Sequence, residues 1–144
     1  MPPEPSPRVI AAHLDDVRND LDAFSAIFAI QNRLAVVHLQ QAAEKLVRAV
    51  RLHRGLVNTK DHDLSLLIDG HRGDPTRLPL PLPADDVWRP RLVELEWLSA
   101  YATAYRYPTS SGSFRDTPPD AKLITAEQRL RQLLDLARAE LLAR

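Results

Sequence analysis

Several features are missing from the sequence, and each absence excludes a class of protein. There is no cysteine, which excludes disulfide bonds, thiolate metal sites and cysteine nucleophiles. No apolar run approaches the roughly 20 residues of a membrane-spanning helix, and the N-terminal segment lacks the basic start and apolar run of a signal peptide. Basic and acidic residues balance at 19 each, so no net field attracts nucleic acid. We expect a soluble, cytoplasmic protein in which any nucleic-acid contact comes from a local patch.

The composition is that of one ordinary globular domain. The chain has 144 residues, of which 44% are hydrophobic and 26% charged, close to globular averages. Residues 1–7 contain four prolines and form the predicted N-terminal tail, and residues 8–144 form the predicted domain.

Hydrophobic periodicity predicts a first helix just after Pro7 and a second from Asn32, a candidate cap, to about Arg54. The apolar stripe of the first helix comprises Ile10, Leu14, Val17, Leu21, Phe24 and Phe28. Gly55 is placed to end the second helix, which is apolar nearly all round at its start. We therefore expect the second helix to be central.

Cap residues delimit a short third helix over residues 64–69. Asp61 or Asp63 can cap its start, and Gly70 can end it. The proline-rich residues 74–83 that follow favour an extended connection.

Asp86 is predicted to open a long fourth helix that Pro108 ends. Its predicted buried stripe comprises Trp88, Leu92, Leu95, Leu98, Ala102 and Tyr105. Thr125 and Gln128 form a candidate capping box for a final helix. The predicted fold class is all-α, an antiparallel up-and-down bundle of four long helices plus one short helix.

A polar cluster interrupts the second helix. His38, Gln41 and Lys45 are spaced i, i+3 and i+7, which stacks them on one face, with Glu44 beside them. Buried, these groups need hydrogen-bond partners; exposed, they form a donor-rich surface. Both interpretations stay open, a packing network that fixes helix register and a ligand-binding face.

Two further motifs have a structural and a functional interpretation. His62 and Asp63 precede the third helix, where Asp is ordinary capping material and His is either a core contact or a base near neutral pH. In Arg106-Tyr107-Pro108 the arginine either neutralises a helix C-terminus or binds phosphate.

Taken in order, these motifs resemble a HEPN domain (higher eukaryotes and prokaryotes nucleotide-binding). The resemblance covers about residues 8–143 and depends on the run His38-Leu39-Gln40-Gln41-Ala42-Ala43-Glu44-Lys45-Leu46, then His62-Asp63-Leu64, then Arg106-Tyr107-Pro108.

The resemblance implies a helical bundle that commonly forms a homodimer and is often encoded beside a minimal nucleotidyltransferase in toxin-antitoxin or defence modules. It implies a nucleotide or RNA ligand and, in many members, metal-independent endoribonuclease activity, so we expect no metal and no cofactor. Candidate ligand- or phosphate-binding residues are His38, Gln41, Glu44, Lys45, Asp63 and Tyr107. Candidate catalytic residues are His62 and Arg106.

The chain departs from the nuclease pattern, an Arg-x(4 to 6)-His motif near a late helix, because no histidine follows His71. Earlier Arg and His residues match the spacing, but residues five apart on a helix are separated by about 140° around its axis. Three hypotheses remain: a nucleotide- or RNA-associated protein, a ribonuclease with His62 or His38 as base and Arg106 as electrostatic stabiliser, and a non-catalytic structural or dimerisation module.

Overall fold

The computed structural model describes residues 6–101 and 117–143. These residues form five α-helices and one 3-10 helix, and no strand occurs among them. The elements are α1 (Pro7–Phe28), α2 (Asn32–His53), α3 (Leu64–Asp69), α4 (Trp88–Val93), the 3-10 helix (Glu96–Tyr101) and α5 (Asp120–Leu141). In this described part, no helix combines the length and apolar character needed to cross a membrane.

Helix α2 occupies the centre of the molecule. It packs on α1, α5, α3, α4 and the 3-10 helix, and more than half of its residues are buried. Helix α1 buries the predicted stripe from Ile10 to Phe24. Ion pairs Asp22–Arg131 and Asp15–Arg138 show that α1 and α5 run in opposite directions. Because α2 packs on every other element, the prediction of a central second helix is confirmed.

The long fourth helix predicted from Asp86 was wrong in the described region. Helix α4 ends at Val93, and the chain tightens into the 3-10 helix, with the Leu95 amide bonded to the Leu92 carbonyl (2.9 Å) and the Leu98 amide to Leu95 (3.0 Å). Leu92, Leu95 and Leu98 are all buried. A spacing of three aligns side chains along a 3-10 helix, so the tighter winding keeps these leucines on one face. Ala102, Tyr105 and Pro108 lie outside the described residues.

Two predicted caps were also wrong. Gln31 precedes α2, and the Asn32 side chain donates instead to Asp120 Oδ1 (3.0 Å). Helix α5 begins at Asp120 after Pro119, so Thr125 lies inside it and donates to the Ala121 carbonyl (2.8 Å). Aspartate in the first turn favours this earlier start through the helix dipole.

The boundaries of α3 are as predicted. Asp63 Oδ1 accepts a hydrogen bond from the Ser65 amide (2.9 Å), and Gly70 follows the helix with a φ of 73°. A Cβ at Gly70 would lie 2.9 Å from the Pro81 ring, so the site requires glycine both for its dihedral angle and for the close approach of the loop.

A buried guanidinium fixes the connections around α2. Arg51 has no exposed surface, and its Nη atoms donate to the carbonyls of Val57 (2.8 Å), Leu67 (2.7 Å) and Leu80. Nε donates to Asn58 Oδ1 (3.1 Å). Burial, reinforced by the nearby positive charge of Arg48, lowers the pKa of Arg51 to about 10, so the group stays charged at neutral pH.

We expect Arg51→Leu to lower the free energy of unfolding by about 3 kcal/mol or more, because three carbonyls lose a charged donor in the interior. Urea denaturation followed by circular dichroism measures the change. Arg138→Leu is the control: it removes only an exposed pair with Asp15, worth at most about 1 kcal/mol. Equal losses in the two variants would contradict the role assigned to Arg51.

Candidate ligand-binding surface on the central helix

The predicted polar residues of α2 face two different neighbours. Consecutive residues of an α-helix are about 100° apart around the axis. Lys45 consequently faces α1, where its Nζ lies 2.6 Å from Asp20, while Glu44 faces the loop of residues 57–63, where it contacts His62. The residues that the sequence predicted as one polar cluster are therefore divided between two clusters in the structure.

The first, which we call the Asp20 cluster, consists of Asp20, His38 and Lys45. The Asp20 side chain is only 9% exposed and receives Lys45 Nζ on Oδ2 at 2.6 Å and His38 Nδ1 on Oδ1 at 3.2 Å. His38 and Lys45 are each about one third exposed, at 29% and 32%. One buried carboxylate therefore orients two partly solvated basic groups.

The second, the Glu44 cluster, consists of Gln40, Glu44, Arg48 and His62. Glu44 Oε1 lies 3.0 Å from His62 Nδ1 and accepts from Gln40 at 3.2 Å, and Oε2 accepts from Arg48 Nε at 3.2 Å. Arg48 also donates to the carbonyls of Thr59 (2.7 Å) and Asp61 (2.5 Å). These bonds hold the loop against α2, while the His62 side chain is 69% exposed.

In both clusters a histidine directs Nδ1 at a carboxylate. A proton on Nδ1 is then hydrogen-bonded, and Nε2 is left as the basic atom of the ring. For His62 the high exposure makes that atom available to a ligand. This arrangement leaves Nε2 of His62 placed to accept a proton or a hydrogen bond from a ligand.

His13 of α1 extends the Asp20 cluster toward Arg48. Burial and the positive charge of Arg48 lower the pKa of His13, with Lys45 acting in the same direction and Asp16 opposing. The lowered pKa favours the neutral form of His13, in which one ring nitrogen can accept a proton or a hydrogen bond.

The remaining predicted residues have separate positions. Gln41 is half-buried on α2. Asp63 caps α3, with one oxygen committed to the Ser65 amide. Arg106 and Tyr107 lie outside the described residues, so their predicted roles stay predictions. Within the described ranges no three His, Asp or Glu side chains converge as a metal site.

A separate groove of about 690 Å³ lies between the 3-10 helix and α5. Trp97 and Lys122 contribute to its walls, with Lys122 Nζ 4.2 Å from the centroid of the Trp97 ring. The candidate residues of α2 and of the 57–63 loop are not among those that line it. The chemistry-bearing side chains of α2 and this groove therefore occupy different parts of the described structure.

The family model of the HEPN domain matches residues 22–139, a span that contains α2, the His62–Glu44 pair and most of α5 and that begins just after Asp20. The chain belongs to the HEPN family. No curated protein and no solved structure is significantly similar to it. The predicted family is confirmed, and this HEPN domain has its Gln-x-Ala-Glu-Lys motif on the central helix.

Three residues that organise the two clusters were not among the predicted site residues: Asp20, Gln40 and Arg48. A signal existed for Asp20, because it lies between Val17 and Leu21 of the buried α1 stripe, where an acidic residue needs a partner. No comparable pattern marked Arg48, whose main partners are loop carbonyls.

We expect Asp20→Ala to lower the free energy of unfolding by about 1–2 kcal/mol, because His38 and Lys45 lose their shared acceptor at a half-buried site. Thermal or urea denaturation measures this. Asp22→Ala, two residues along, removes an exposed carboxylate and serves as the matched control, with an expected loss below about 1 kcal/mol. Unchanged stability in Asp20→Ala would contradict the organising role.

Proposed function

We propose that this HEPN domain binds the phosphate groups of RNA or a nucleotide on the face of α2 that carries Lys45, with His38 beside it and His62 on the neighbouring face. The observation that carries the proposal is the partial exposure of Lys45 and His38 on one buried carboxylate. The Lys45 ammonium supplies donors to phosphate oxygens, and the His38 ring adds an Nε2–H donor in its doubly protonated form, with Nδ1–H on Asp20. Gln41, Glu44 and Asp63 would border the ligand, and the proposed roles of Arg106 and Tyr107 come from the family motif.

The ion pairs already present on this surface determine the affinity for phosphate and its dependence on salt. Lys45 is paired with Asp20 and Arg48 with Glu44, so a phosphate must compete with carboxylates already in place. We expect moderate affinity that declines as salt rises, because the attraction between exposed charges is screened.

From family membership we also propose that the protein works as a homodimer in a toxin-antitoxin or defence module with a nucleotidyltransferase-like partner in the cytoplasm. Sedimentation of the purified chain tests the dimer, and a monomer at all concentrations would refute it. Co-expression with a nucleotidyltransferase encoded by an adjacent gene tests the module, and separation of the two proteins on size exclusion would count against it.

Lys45→Ala should weaken the binding of a labelled single-stranded RNA or of ATP at least about fivefold, because a phosphate contact is lost. Fluorescence anisotropy at low and moderate salt measures the dissociation constant for each ligand. Lys122→Ala removes the same charge from the Trp97 groove and should leave binding within about twofold. An Lys45→Ala protein that is folded and binds like the wild type would refute the proposal.

A second candidate function is metal-independent RNA cleavage, which the His62–Glu44 contact favours. His62 Nε2 would take the proton of a ribose 2'-hydroxyl, whose oxygen would attack the adjacent phosphorus and displace the 5'-oxygen, which takes a proton from water. Glu44 would orient the ring and stabilise its charged form, and a basic residue such as Arg106 would stabilise the phosphorane. A His–carboxylate pair with an exposed Nε2 has the geometry that a general base requires.

If this is correct, the chain cleaves RNA in the presence of EDTA, and His62→Ala lowers the rate at least about a hundredfold, in line with the usual contribution of a general base. Gel electrophoresis of a labelled RNA measures the rate. His71→Ala, an exposed-loop histidine bonded to the Leu78 carbonyl, is the control and should retain activity. No cleavage by the wild type would exclude this candidate while leaving phosphate binding intact.

A further inference from the structure

A carboxyl group at the start of the 3-10 helix lies in an environment that disfavours its charge. Glu96 is half-buried, and its Oε1 is enclosed with no hydrogen-bond donor. Its carboxyl lies next to that of Asp69 and near Ser65, both on α3, and two carboxyls can hydrogen-bond to each other only when one of them carries a proton. An enclosed carboxylate oxygen without a donor is costly, whereas the same oxygen in a neutral acid is tolerated far better.

The groups around Glu96 include two more acids. Asp69 and Asp63, at the two ends of α3, both repel a negative charge on Glu96.

From α4, Arg89 reaches this region and donates to Asp69 (3.0 Å). From α2, Arg51 reaches α3, but its guanidinium is directed at the Leu67 carbonyl (2.7 Å). From α5, Lys122 lies on the Trp97 ring at 4.2 Å. Because Arg89 bonds to Asp69, the proton between the two carboxyls belongs on Glu96.

The contact between Asp69 and Glu96 joins α3 to the 3-10 helix, and a backbone-to-side-chain hydrogen bond joins the same two elements. The Leu64 amide at the start of α3 donates to Ser99 Oγ of the 3-10 helix (2.8 Å). Behind these bonds Leu64 and Leu98 are buried in the common core. The Asp69–Glu96 contact is therefore positioned to hold the first turn of the 3-10 helix on α3.

We propose that Asp69 and Glu96 share a proton that fastens the 3-10 helix to α3, and that loss of this proton above neutral pH loosens the 3-10 helix. A single proton would thus couple ambient pH to the segment that carries Trp97, independently of any ligand on α2. Two adjacent carboxyls that bind one proton between them are a recognised source of such coupling.

The direction of the pH dependence follows from the titration of Glu96. Burial, together with the hydrogen bond and charge of Asp69, raises the pKa of Glu96 from its usual 4.5 to about 7. A group whose pKa is higher in the folded state stabilises the fold fully below its unfolded pKa, and this contribution is lost as pH rises through the folded value. The loss should therefore begin near pH 4.5 and be almost complete by about pH 7.5.

The test compares the wild type with Glu96→Gln, which mimics the neutral acid. The melting temperature of the wild type should fall between pH 5 and 8, whereas that of Glu96→Gln should fall less and exceed the wild-type value at pH 8. Asp135→Asn, an exposed carboxyl of α5, is the control and should follow the wild-type curve. Parallel curves for the wild type and Glu96→Gln would overturn the proposal.

Two further measurements address the proton and the motion separately. Carbon-13 titration should give the Glu96 carboxyl a midpoint near 7, and a midpoint near 4.5 would overturn the proposal. Hydrogen-exchange protection of residues 97–101, corrected for intrinsic rates, should drop above pH 7 in the wild type only. If Glu96→Gln does not fold, Asp69→Asn replaces it and should lower the Glu96 midpoint; an unchanged midpoint would equally refute the shared proton.

Discussion

The structure depends on Arg51, a charged side chain at the end of the central helix that is fully buried. Its guanidinium donates to the carbonyls of Val57 and Leu80 in two irregular segments, and to the carbonyl of Leu67 in the last turn of α3, where helix carbonyls lack partners within the helix. Irregular segments satisfy their buried carbonyls only if donors are brought to them. Because the donors belong to one rigid planar group, Arg51 fixes the positions of these three segments against the end of α2.

The position of the candidate site follows from this constraint. With the connection after α2 held in place, Arg48 bonds to the carbonyls of Thr59 and Asp61 and brings His62 against Glu44. On the neighbouring face, Asp20 orients His38 and Lys45 through the packing of α1 on α2. Both histidines are oriented through Nδ1, but only His62 is mostly exposed. The same scaffold therefore holds His38 half-buried against the Asp20 carboxylate and leaves His62 mostly exposed beside Glu44.

Much of the helical arrangement could be predicted because local patterns and tertiary packing agree. The α1 stripe is buried as its periodicity indicated, and the Asp63 and Gly70 boundaries of α3 are those of ordinary capping chemistry. The fourth helix was overpredicted because leucines at 92, 95 and 98 suit an α-helix and a 3-10 helix alike, and core packing selects the tighter form. Thr125 was misassigned as a cap because the same residue types bond to a carbonyl inside a helix.

For the candidate site, the sequence by itself determined the family, through the motif residues from His38 to Lys45 and His62-Asp63. It also determined the central position of the helix that carries the first of these motifs. Only the tertiary structure decided which of these residues meet, because Lys45 bonds to a residue 25 positions earlier and Glu44 to one 18 positions later. Helical periodicity specifies which side chains share a face, but the partner of a face depends on how distant segments pack. The buried acceptor Asp20 and the donors Arg48 and Arg51 could be identified only once that packing was known.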